Sequence, residues 1–209
     1  MLMSSTRYAS IVEKNHAKFW YIEDSSRAKL VVTSANLTYP MVHGCLQSYV
    51  SVMADKKEHV SEELARDYAT KLDKFFGIYK TRLDIALYSH IVDRLLYNIP
   101  GRVNGIERWL AQQTDLVVDT NNATLSYLPT VSKTVVVRTS VPASNKVIEY
   151  YGQDKASART SVVSVPYSCS FHYKLYYTHK CALVSSNNFS YNHKNNYELG
   201  IILHERFSK

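Results

Sequence analysis

Two short passages of the chain carry the same reactive side chains in the same order. The first has His16 and Lys18, then an apolar run at Leu30–Val32, then Ser34 and Asn36. The second has His172 and Lys174, an apolar run at Ala182–Val184, then Ser186 and Asn188. An imidazole supplies a nucleophile or a general acid and base. A lysine ammonium supplies positive charge, and carboxamides and hydroxyls donate hydrogen bonds to oxygens that gain negative charge. On a strand, positions i and i+2 face the same way, so each His is expected to emerge beside its Lys. An antiparallel return strand then delivers Ser and Asn to the same end of the hairpin. The His-to-Asn separations are 36 − 16 = 20 and 188 − 172 = 16, a difference assigned to the linking turns. One His-x-Lys pair among eight histidines carries no weight; two, each followed by the same strand and turn, do.

The doubled pattern resembles the phospholipase D superfamily, in which two His-Lys motifs meet across a pseudo-twofold axis to form one active site. The acidic residue usual five positions after the Lys falls on Glu23 in the first passage but on His179 in the second. The Gly usual before the Ser is Thr33 in one passage and Ser185 in the other. These departures look more like the tyrosyl-DNA phosphodiesterase branch. Gln47, eleven residues past Asn36, and Glu198 in Tyr-Glu-Leu-Gly match the Gln and Glu that stand behind the two histidines in that branch. The second passage is also similar to small nucleases of the wider superfamily. The resemblance covers about residues 10–55 and 160–203.

The resemblance implies His16, Lys18, Asn36, His172, Lys174 and Asn188 as catalytic residues, with His16 the nucleophile and His172 the acid. It implies Gln47, Glu198, Ser34 and Ser186 as their supports. His193 and Lys194, in the loop after the second motif, are placed as substrate contacts. No metal and no cofactor is expected, because four to six fixed donors supply the charge that phosphodiester cleavage needs. The fold implied is mixed α/β (α+β): a phospholipase D-like pseudo-twofold sheet sandwich flanked by helices. Residues 1–80 would form the first half with a linking helix, and 81–209 the second. Only fifteen residues precede His16, so the first half reads as N-terminally shortened: either the chain is truncated or divergent, or a second protomer in a homodimer completes the sheet.

Composition narrows the partners. A formal charge of +7 suits a polyanion such as nucleic acid, with DNA favoured over RNA. Three cysteines without metal-like spacing read as reduced thiols of an intracellular, soluble protein. The start lacks the apolar core of a signal peptide, and no run reaches the roughly 18 apolar residues of a membrane span.

Strands are expected at about 8–13, 17–22, 29–33 and 47–53. Apolar residues at helical spacing from Val60 to Tyr79 predict one long helix over 58–79, with Glu62 and Glu63 in its first turn. Helices are also expected over 84–98, 103–113 and 142–152. Strands follow at 115–119, 123–127, 133–139, 161–167, 171–178, 181–185 and 196–203, with a loop over 154–159.

The leading expectation is a metal-independent phosphodiesterase of nucleic acid, with a DNA-repair or nuclease role, working through a covalent phospho-histidine. Two alternatives stand beside it. One is a phospholipase or phosphatidyl-transfer enzyme built on the same motif. The other is an inactive nucleic-acid-binding remnant using Lys14, Arg27, Arg138, Lys155, Arg159 and Lys180.

Overall fold

The computed structural model describes residues 12–36, 45–113, 115–120, 134–139, 159–164, 170–189 and 195–204. The chain is mixed α/β. Strands β1 (Phe19–Glu23), β2 (Arg27–Thr33) and β4 (Tyr49–Asp55) form an antiparallel sheet in the order β1-β2-β4. A larger, eight-stranded sheet holds β5 (Leu95–Ile99), β6 (Val103–Asn104), β7 (Asp115–Thr120), β8 (Thr134–Thr139) and β9 (Arg159–Ser164). It is completed by β11 (Lys174–Tyr177), β12 (Cys181–Ser185) and β13 (Glu198–His204). Its order is β6-β5-β13-β12-β11-β7-β8-β9, antiparallel except for the parallel pairs β7–β8 and β8–β9. A short parallel pair, β3 (Cys45–Leu46) with β10 (Ser170–Phe171), ties the early part of the chain to the late part.

The two sheets obey different burial rules. Along β12 and β13, Val184 and Ile201 face one core while Leu183 and Ile202 face another. Both faces are covered, which is why these strands read as continuous apolar runs. The first core lies between the sheets, where Ala28, Leu30 and Val32 of β2 meet Val184, Leu199 and Ile201. The second packs Ile106, Trp109 and Leu110 of α4 (Gly105–Gln112) against Val118, Tyr176 and Leu183. The three-stranded sheet buries one face only. Its register places Trp20, Ile22, Tyr49 and Met53 together on the other, each more than half exposed.

The helical region departs from expectation. The single helix over 58–79 is three pieces: α1 (Glu62–Lys71), α2 (Asp73–Phe76) and a 3-10 turn (Gly77–Tyr79). Ser61 caps α1, its hydroxyl accepting from the Leu64 amide at 3.3 Å, and Glu62 and Glu63 occupy the first turn as expected. The break follows from Phe75 and Phe76, adjacent yet both fully buried. Neighbours on a continuing helix point about 100° apart. The chain instead wraps both rings into a cluster with Phe19 and Tyr79, with Phe19–Phe76 centroids 5.3 Å apart.

The helix expected over 84–98 is overturned for most of its length. Asp84 caps a short α3 (Ile85–Ser89), accepting from the amides of Ala86 and Leu87. From Leu95 the chain is strand β5, because β13 offers an edge that pairs Leu95 with Ile201 and Asn98 with Glu198. An apolar run such as Leu-Leu-Tyr satisfies either period, and a partner distant in sequence decides. Smaller corrections follow the same logic. Val12 and Glu13 are not strand, and Arg159 begins β9 rather than ending a loop. The stretch 171–178 is two strands interrupted at His172 and Tyr173. Expectations for 8–11, 123–127, 142–152 and 154–158 fall outside the described residues.

Gly105 opens α4 against β5. A Cβ there would sit 2.8 Å from the Tyr97 carbonyl oxygen, whereas one on Gly77 would meet nothing within 4 Å. Gly105→Ala is expected to lower stability by about 1–3 kcal/mol, and Gly77→Ala to leave it unchanged or raise it by about 0.5 kcal/mol. Urea denaturation of the two variants checks this.

Candidate active site

Both motifs enter antiparallel hairpins, with Phe19 opposite Val32 in one and Leu175 opposite Val184 in the other. The connections are equal in length, Asp24–Ser26 and Thr178–Lys180, so the unequal His-to-Asn spacing lies mainly in strand length and not in the turns. As expected, the return strands end at Thr33 and Ser185, immediately before Ser34 and Ser186. The histidines are not on the strands. His16, Ala17 and Lys18 precede β1, and His172 precedes β11. Main-chain contacts from the other half hold His16 in place. Its amide donates to the Tyr197 carbonyl at 3.0 Å, and the Tyr197 amide donates to the Lys14 carbonyl at 3.0 Å. Lys14 takes a left-handed conformation, φ 58°, to present that carbonyl.

Anchoring His16 to Tyr197 brings the next residue, Glu198, onto its ring. His16 Nδ1 lies 2.7 Å from Glu198 Oε1, and the Ser186 hydroxyl donates to Glu198 Oε2 at 2.5 Å. The second histidine has a matching arrangement drawn from the opposite half. His172 Nδ1 lies 3.2 Å from Gln47 Oε1, which also accepts from the Ser34 hydroxyl at 2.9 Å. Each imidazole is therefore held by a support from the other motif's half of the chain. Sequence reasoning put Gln47 and Glu198 behind the histidines, but it carried no signal for which served which. His16 Nδ1 thus faces a carboxylate oxygen, and the His172 ring lies between the Gln47 oxygen at Nδ1 and the Lys174 ammonium, which is nearest Nε2.

The lysines fold back on their motifs. Lys18 Nζ donates to the His16 carbonyl at 2.8 Å. Lys174 Nζ lies 2.9 Å from His172 Nε2 and 3.1 Å from Nδ1, and Lys174 is 0% exposed. Burial pushes the Lys174 ammonium down to about 7, with the charge of Lys18 lowering it further and Glu198 opposing. Burial likewise pushes Lys18 down to about 8, against Glu198. His172 is pushed down to about 4 by burial first, then by the charges of Lys174, Lys18 and His16, against a hydrogen bond with the Ser34 backbone. These influences run between the motifs, so the four basic groups form one electrostatic cluster. Among the described residues, Glu198 is the one carboxylate acting on both lysines.

The remaining site residues divide. Ser34 and Ser186 are fully buried on Gln47 and Glu198. Asn36 and Asn188 are half-buried, and Asn188 Oδ1 has no hydrogen-bond partner. Asn187 is a buried brace missed by the sequence reading; its amide donates to the Tyr176 hydroxyl at 3.3 Å. Ser48 was missed too. Its carbonyl accepts from the Ser34 amide at 2.9 Å, and its hydroxyl accepts from the Lys174 amide at 3.4 Å. Nothing in residue type or spacing marked either one. Glu23 sits at the far end of β1, paired with Lys56 at 2.9 Å. His193 and Lys194 lie outside the described residues. No three His, Cys, Asp or Glu side chains gather as a metal-holding set among the described residues, and no described helix is long and apolar enough to cross a membrane.

No protein-family model and no curated protein matches this chain. The likeness to the phospholipase D superfamily rests on the motif residues themselves.

The depressed lysines make stability depend on pH. Between about 7, where folded Lys174 titrates, and 10.5, its ordinary value, the unfolded chain holds a proton the folded one lacks. Stability therefore rises with pH through that window. For His172 the same sign applies between about 4 and 6.5. Lys174→Met is expected to melt higher than the parent at pH 6, by about 3 °C per kcal/mol of charge burial relieved, with the gap closing by pH 10. Parallel melting curves across that range would contradict it.

Proposed function

We propose that this protein is a phosphodiesterase of nucleic acid, of the phospholipase D type and closest to the tyrosyl-DNA phosphodiesterase branch, with DNA favoured over RNA. The observation that carries the reading is the pair of cross-supported imidazoles set between a buried Lys174 and a half-buried Lys18. A dehydrated cation cluster with one carboxylate suits an anion, and a phosphodiester between Lys18 and Lys174 raises the proton affinity of both Lys174 and His172. Nitrogen–oxygen contacts of this kind fix the imidazoles before substrate arrives.

His16 is the nucleophile. Its free Nε2 lone pair attacks phosphorus, and the bond from phosphorus to the leaving oxygen breaks. His172, charged once the anion is bound, gives that oxygen its proton. The Glu198 carboxylate offsets the positive charge that grows on His16, whereas the neutral Gln47 amide leaves His172 free to lose its proton. Water then attacks the phospho-histidine, His172 takes a proton from it, and the P–N bond breaks to restore His16. Lys18 and Lys174, with Asn36 and Asn188, hold the non-bridging oxygens.

A p-nitrophenyl phosphodiester separates the steps, because its leaving group departs without an acid. His172→Ala is expected to release about one equivalent of p-nitrophenolate per site and then slow by about 10²–10⁴-fold, leaving an adduct stable in alkali. His16→Ala is expected to show no burst. Oligonucleotide cleavage by the parent protein should persist in EDTA. Equal, steady turnover in both variants would refute the assignment.

A further inference from the structure

A second feature adjoins the site through Tyr197. Beside it lies a cleft of about 590 Å³, lined by Ile78, Ile99, Pro100, Val103 and Tyr197, with Lys74 and Arg102 among its walls. Both cations are exposed, and among the described residues neither is paired with a carboxylate and no carboxylate lines the cleft. A tight turn presents Arg102: Gly101 takes φ 68°, and the Arg102 amide donates to the Ile99 carbonyl at 3.0 Å. Tyr197 is braced from behind by Phe75 and Tyr79, with centroids 6.5 and 6.4 Å away. Its main chain is the one that holds His16 and Lys14, and its neighbour Glu198 holds the His16 ring.

We propose that this cleft is the subsite for a nucleotide flanking the scissile phosphate, so that the substrate is a single-stranded run rather than an isolated ester. The inference rests on the phosphodiesterase reading and names its substrate class. An apolar wall with one braced aromatic ring suits a base face, which any of the four bases presents. Two unpaired cations at an otherwise uncharged cleft suit the phosphates on either side of that nucleotide. An apolar ligand would leave both charges unused, and a duplex keeps its base faces stacked inside the helix, where none meets the cleft wall. Because the cleft and the reactive imidazole hang on the same peptide group, a strand seated in one is fixed in register with the other.

The experiment uses the His16→Ala protein and a fluorescein-labelled ten-nucleotide oligothymidine, read by anisotropy. Adding Lys74→Ala with Arg102→Ala should weaken binding about tenfold or more and lower the slope of log affinity against log salt by about 1.4, at roughly 0.7 per phosphate contact. The charge-matched pair Lys57→Ala with Arg108→Ala, both on exposed residues outside the cleft, should do neither. In the otherwise unaltered enzyme, the Lys74/Arg102 pair should leave p-nitrophenyl phosphodiester turnover unchanged while raising KM for the oligonucleotide. Equal weakening by both pairs means net charge alone acts and overturns the subsite. Tighter binding of a duplex of the same length would overturn the single-stranded assignment. Loss of chromogenic turnover in the parent protein would instead sink the phosphodiesterase reading, with the anisotropy result still standing on its own.

Discussion

Holding one lysine ammonium out of water and a second partly so, close enough to repel each other, is the constraint the centre of this molecule is built around. Lys174 is completely buried, and its nitrogen contacts the imidazole and carbonyl of His172 with no carboxylate in reach. Removing a cation from water costs several kcal/mol unless an opposite charge repays it. Here repayment is partial, through Glu198 acting at a distance, and both lysines lose proton affinity. Such an arrangement persists only where the surrounding packing is strong enough to impose it. Leu30, Val32, Val184 and Ile201 provide that packing immediately beneath, all of them almost fully buried.

Exchange of supports between the halves gives the cluster its second property. Glu198 and Ser186, from the late hairpin and the strand after it, hold His16; Gln47 and Ser34, from the early part of the chain, hold His172. Neither imidazole is oriented if the halves separate, so the chemistry is conditional on the core between the sheets. The exchange also introduces an asymmetry. One support is a carboxylate and the other an amide of nearly the same shape, so two similar hairpins present imidazoles against different partners, one charged and one neutral.

How far the sequence could foresee this depends on how local each feature is. The hairpins were legible because both strands of each lie within about twenty residues and their ends are marked by Ser and Asn. The strand β5 was not, since Leu95 to Ile99 reads equally well as helix until β13, a hundred residues later, offers an edge. The breaks in the helical region were hidden for a related reason: two adjacent aromatics look like a wide stripe until both prove to be buried. The choice between Asn187 and Asn188 was likewise open to spacing alone. The Tyr176 and Ser185 hydroxyls show that Asn187 is taken up by structure, while Asn188 stays half-buried with its Oδ1 unpartnered.

The site occupies strand ends, and this explains why its side chains are held by hydroxyls. β2 and β12 finish just before Ser34 and Ser186, and β13 begins at Glu198, so ladder hydrogen bonds run out where the reactive groups begin. The main-chain groups left over need other partners. The Thr33 hydroxyl accepts from the Ala35 amide at 3.0 Å, the Ser34 hydroxyl from the Ser48 amide at 2.9 Å, and the Ser186 hydroxyl from the Leu199 amide at 3.0 Å. The same two serines then spend their remaining hydrogen on Gln47 and Glu198. Each hydroxyl thus closes the end of a strand and aims the support of an imidazole at once. A serine in these positions does what neither alanine nor a bulkier residue can, and the small-polar turn that ends each hairpin is as much part of the site as the histidines are.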